Sequence, residues 1–69
     1  MKREDKLLRF GKNLKANRKK AKLTQAQLAE KINVDNRTIQ KFEAGDSNIT
    51  ILNIYALAEA LKISPSELL

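Results

Sequence analysis

Among its 69 residues the chain has no cysteine and no histidine. That removes disulfides, thiolate or imidazole ligands for zinc, and any nucleophile–base pair of the Ser-His or Cys-His kind. Its eight Asp and Glu residues show no paired spacing suited to general acid–base work, so no enzyme and no cofactor or metal is expected. No apolar run approaches the roughly 18 residues of a membrane span. Met1-Lys2-Arg3 leads into further charge, unlike a signal sequence, so no membrane partner is expected. Tryptophan is missing, and Phe10, Phe42 and Tyr55 are the only aromatics, too few and too scattered for a base-stacking RNA platform. Two glycines and one proline leave little to break helices. One small domain in a reducing, cytoplasmic setting fits these absences, and no small-molecule ligand is evident.

Charge is present, and it is unevenly spread. Residues 1–22 hold ten of the 14 Lys and Arg against Glu4 and Asp5, a local balance of +8. Residues 23–69 hold the other four bases and six acids, a balance of −2, which together give the net +6. A basic stripe on a small domain attracts polyanions, nucleic acid first among them, although it also serves as an ordinary solvated helix face.

The apolar pattern predicts five helices and no strand. Leu7, Phe10, Leu14 and Ala21 make one stripe of a first helix from near Asp5 to Ala21, after a charged arm over residues 1–5. Thr24 and Gln27 have capping-box spacing at the start of a second, short helix whose buried stripe is Leu28, Ala29 and Ile32. Asn33 suits a left-handed helix end and Asp35 an N-cap, so a third helix follows with Ile39 and Phe42 inward and stops near Ala44-Gly45. Thr50 begins a fourth, with Ile54, Leu57, Ala58 and Leu61 facing the core. Ser64-Pro65-Ser66-Glu67 caps a fifth. The fold class is therefore all-α, a compact five-helix domain over residues 6–69.

The segment from Thr24 to Glu43 carries the sharpest signal. Two helices of about eight residues joined by a three-residue turn cannot pack antiparallel and must cross steeply. Ala29 is small at the crossing, Val34 plugs the turn, and Asn36, Arg37, Gln40 and Lys41 share one outward face of the second helix. Their chemistry suits base edges in a major groove: asparagine or glutamine pairs with adenine, and arginine or lysine with guanine.

The chain resembles the Cro/repressor-type helix-turn-helix family, the lambda-repressor-like DNA-binding domains, also called the xenobiotic-response-element family. The resemblance covers about residues 10–69. It is carried by Arg18, Leu23-Thr24-Gln25, Gln27-Leu28-Ala29-Glu30-Lys31, Val34, Thr38-Ile39, Phe42-Glu43, Gly45, Leu57-Ala58-Glu59-Ala60-Leu61 and Ile63-Ser64. Asn48-Ile49-Thr50-Ile51 is similar to single-domain regulators such as restriction–modification controller proteins. The resemblance implies a bacterial or phage-type transcriptional regulator, repressors included, that binds double-stranded DNA with the helix from about Asn36 to Glu43 in the major groove. It implies base reading by Asn36, Arg37, Gln40 and Lys41, with Lys41 as readily on a phosphate. It implies phosphate contacts from Gln25, Thr38, Asn48, Thr50, Asn53 and Arg18, Thr50 being equally suited to capping its helix. It also implies an ion pair between Arg18 and Glu43.

Lys22, Asn33 and Lys62 stand where many family members place glycine at helix ends. A lysine there either adopts a strained left-handed backbone or ends its helix differently. Two rival functions are weaker. Membrane binding through the basic first helix is disfavoured by its short stripe, and a protein-interaction adaptor should have an acidic or apolar outer face on the third helix. One short reading helix covers too few base pairs for regulation, so a homodimer on a palindromic site is expected. Ile63, Leu68 and Leu69 are the candidate contacts, with Ile51 and Tyr55 behind them.

Overall fold

Residues 3–20 wind into the first helix, α1 (Arg3–Lys20), in a computed structural model that describes residues 2–69. The helix starts earlier than the sequence pattern suggests. Glu4 and Asp5 lie in its first turn, where the positive dipole end favours acids, so residues 3–5 are helix and not an arm. Arg18, Lys19 and Lys20 occupy the last turn, where cations are favoured. Phe10 and Leu14 are buried, but Ala21 is exposed; it is the C-cap residue, beyond the turn that faces the core.

Three further helices follow: α2 (Gln25–Lys31), α3 (Asn36–Ala44) and α4 (Ile51–Leu61). The fifth expected helix is instead a single 3₁₀ turn, Pro65–Leu68. Its Ser64/Glu67 capping box forms, yet the backbone closes by three-residue steps: Glu67 N–H donates to the Ser64 carbonyl at 2.9 Å, and Leu69 N–H to the Ser66 carbonyl at 3.2 Å. This tight turn drives Leu68 into the core, fully buried.

Leu28 and Ala29 of α2, Ile39 and Phe42 of α3, and Leu57, Ala58 and Leu61 of α4 complete that core with Phe10, Leu14 and Leu68. Ile32, Val34 and Ile54 pack against it as half-buried residues. At α3 the cap differs from expectation. Asp35 has N-cap backbone geometry, but its side chain makes no capping bond, and its carbonyl accepts from Thr38 N–H at 2.9 Å.

Four helix ends share one closure. Lys22, Asn33, Gly45 and Lys62 have φ of 60°, 60°, 73° and 58°. In each case the next residue donates back five positions: Leu23 to Arg18, Val34 to Ala29, Asp46 to Lys41 and Ile63 to Ala58, at 3.0–3.2 Å. So the two lysines do enter the left-handed region, at about 1–2 kcal/mol each. What offsets the strain is the apolar residue that follows: Leu23 and Ile63 are partly buried against the core, the hydrophobic anchor of this motif.

Candidate nucleic-acid interface

The α2–turn–α3 unit is set by its caps. Thr24 Oγ accepts from Gln27 N–H at 3.0 Å, and Gln27 Oε1 accepts from Thr24 N–H at 2.8 Å. That reciprocal pair defines where α2 begins. At its other end, the Val34 bond to Ala29 pins a short turn, and the bulk of Ile39 and Phe42 holds α3 down on the core.

Three helices meet at one carboxylate. Glu43, in the last turn of α3 and only 5% exposed in its side chain, accepts from Arg18 Nε on Oε2 at 2.6 Å. Its Oε1 accepts from Arg18 Nη2 at 3.1 Å and from Gln25 Nε2 at 3.0 Å. Arg18 Nη1 donates to the Leu23 carbonyl at 2.8 Å, tying down the α1–α2 turn. The guanidinium is thus buried and turned inward, with three of its five donors used inside the protein. The Gln25–Glu43 bond joins the start of α2 to the end of α3, and no local spacing in the sequence signals it.

Outside this cluster, Asn36, Arg37, Gln40 and Lys41 are all exposed on α3, and none of their side chains bonds to another described residue. α3 therefore presents a row of amide, guanidinium and ammonium groups to solvent. Thr38 is half-buried at the edge of α3. Asn48 and Thr50 are exposed and Asn53 half-buried around the start of α4. Thr50 does cap that helix, its Oγ accepting from Asn53 N–H at 3.1 Å.

Of the residues expected at a copy-to-copy contact, Leu68 is excluded, because it is completely buried in this chain's own core. Ile63 is half-buried as the anchor after Lys62. Leu69 remains exposed. The larger exposed apolar groups are on α4: Ile51, Leu52 at 75% and Tyr55. Leu52 escapes sequence reading because it sits beside Ile51, and adjacency alone does not say which of two neighbours faces out. Two shallow depressions of about 300 and 370 Å³ share Lys31, Ala60 and Lys62, and none of the exposed α3 residues lines them. Among the described residues no cluster of acids could hold a metal, and no helix is long and apolar enough to cross a membrane.

Two short helices crossing at a tight turn, with the second bared to solvent, define a helix-turn-helix protein. The chain belongs to the helix-turn-helix family, whose pattern matches residues 14–68. It is 35% identical over 66 residues to the HTH-type transcriptional regulator DicA of Escherichia coli (strain K12), covering 96% of this chain and 49% of that protein. It is 37% identical over 60 residues to Repressor protein C2 of Salmonella phage P22, covering 87% of this chain and 28% of that one. The chain therefore spans about half, or less, of these curated relatives. Among solved structures, the restriction-modification controller protein C.AhdI from Aeromonas hydrophila superimposes with a TM-score of 0.88 at 36% identity, covering 91% of this chain and 96% of that one.

Proposed function

We propose that this chain is a sequence-specific, double-stranded DNA-binding transcriptional regulator that inserts α3 in the major groove. The observation that carries the reading is the exposed, unpartnered set of Asn36, Arg37, Gln40 and Lys41 on a helix whose opposite face is core. These side chains have the donors and acceptors that base edges require. Thr38, Asn48, Thr50 and Asn53 flank them as phosphate contacts, and Gln25 does so from the start of α2, its amide nitrogen oriented by Glu43. Arg18 serves the reading as the buried brace of α3, not as a phosphate ligand, because its donors face inward.

The regulator acts as a homodimer on a palindrome, which doubles the bases read. Its interface is the apolar outer face of α4, where Ile51 and Tyr55 stand one turn apart beside Leu52; exposed Leu69 adds to it. Selection of bound duplexes from random DNA with the purified protein tests the function. Enrichment of a two-fold symmetric motif is the expected result. Failure to enrich any sequence, with binding that does not weaken between about 50 and 200 mM salt, would overturn it.

A further inference from the structure

The basic N-terminal third is left unused by this reading. Among the described residues the one ion pair is Arg18–Glu43, so the exposed cations of α1 have no acidic partner there. Their placement around the helix divides them into two rows. One side of α1 faces α3: Gly11 abuts the carbonyl oxygens of Phe42 and Glu43, Arg18 reaches the Glu43 side chain, and Leu8 lies against Gly45. The opposite side faces the 3₁₀ turn, where Asn13 Nδ2 donates to the Leu68 carbonyl at 3.2 Å and Asn17 Nδ2 to that of Glu67 at 3.4 Å.

Helical spacing then assigns the lysines. Lys12 is one turn on from Leu8, Lys15 one turn on from Gly11, and Lys19 one turn on from Lys15, all exposed along the α3 side. Lys6, Arg9 and Lys20 are also exposed, but seven, four and seven residues from Asn13 they line the 3₁₀ side. Beside α3, therefore, runs a row of three ammonium groups spanning about 10 Å at 1.5 Å per residue. DNA presents about one charge per 1.7 Å of its axis, so such a row can meet several phosphates.

We propose that Lys12, Lys15 and Lys19 form a second DNA contact, a basic ledge that grips the sugar–phosphate backbone of duplex flanking the bases under α3. The proposal rests on the DNA-binding function above and adds a surface to it. The ledge reads no sequence; it lengthens the footprint and steepens the salt dependence.

Two charge-matched triple variants test it: Lys12→Gln/Lys15→Gln/Lys19→Gln on the ledge, and Lys6→Gln/Arg9→Gln/Lys20→Gln on the other row. Each is titrated against the selected duplex in two lengths, one trimmed to the bases under the reading helices and one extended by about a helical turn, roughly ten base pairs, on each side. Wild type should bind the extended duplex tighter. The ledge variant should lose that gain, and its log K against log salt should flatten by close to 3, about 0.9 per phosphate contact. The control variant should keep both. Equal effects of the two triples would reduce the ledge to diffuse charge and overturn it, as would an unchanged ledge variant. Absence of wild-type binding to either duplex would instead strike at the DNA-binding function itself.

Discussion

Gly11→Ala sets two effects of opposite sign against each other. In the interior of a helix, alanine is favoured over glycine by about 0.8–1.0 kcal/mol, so propensity alone predicts a more stable protein. Packing predicts the reverse. A Cβ on Gly11 would lie 2.7 Å from the Phe42 carbonyl oxygen and 2.9 Å from the Glu43 carbonyl carbon, with the Glu43 oxygen closer still. These are backbone atoms of the last turn of α3 and cannot swing aside. That turn is held in place by the Arg18–Glu43 pair at 2.6 Å and by the bonds of Gly45 to Phe42 and Asp46 to Lys41. Relief requires α1 and α3 to separate, which loosens Phe10, Leu14, Ile39 and Phe42 together. Overpacking of this kind costs about 1–3 kcal/mol, and the upper end applies where backbone meets backbone. The net is a loss of about 1–2 kcal/mol, large for a domain of this size, whose total is about 3–10 kcal/mol at 0.05–0.15 per residue. Urea unfolding followed by circular dichroism should show a lower midpoint with an unchanged slope. A midpoint equal to or above wild type would refute the reasoning and place the α1 and α3 backbones farther apart.

Glu43→Ala strands a buried guanidinium and should cost about 3–5 kcal/mol, with Arg18→Leu/Glu43→Leu recovering much of it; a Tm within a degree or two of wild type would place the pair in solvent. Lys62→Gly should relieve left-handed strain and stabilise by up to about 1 kcal/mol in the same urea assay, whereas Lys62→Ala, which keeps a Cβ, should not. Arg37→Ala should cost about 1–3 kcal/mol on the selected site and flatten preference at one position per half-site; equal loss on random DNA would make it a phosphate contact. Leu52→Asp should leave a folded monomer by sedimentation with weakened binding to the palindrome, while an unchanged dimer would move the interface off α4.

The α3 end of the molecule has little tolerance for change on either side. One face bears the reading residues, and the other is locked by Gly11, Phe42 and the carboxylate shared by Arg18 and Gln25. A substitution at the buried face therefore perturbs the exposed one without touching it, through the position of the helix.

Local chemistry was enough to settle the order and type of the helices. Thr24 with Gln27, and Thr50 before an apolar run, state where helices begin, because a capping side chain and its backbone target lie three residues apart. The spacing of Phe10 and Leu14, of Leu28 and Ala29, and of Ile39 and Phe42 states which faces are buried. The outward set Asn36, Arg37, Gln40 and Lys41 follows from the same periodicity, so the candidate reading face was legible before any packing was known. Tertiary structure decided what depends on neighbours distant in sequence. Gln25 meets Glu43 eighteen positions away because α2 and α3 cross there. Lys22 and Lys62 accept left-handed backbones because Leu23 and Ile63 find apolar partners in other helices. Leu68 turns into the core and leaves Leu69 outside, a difference between identical neighbouring residues that no propensity contains. Which side of α1 lies against α3 was likewise settled by packing, and that contact separates one row of lysines from the other.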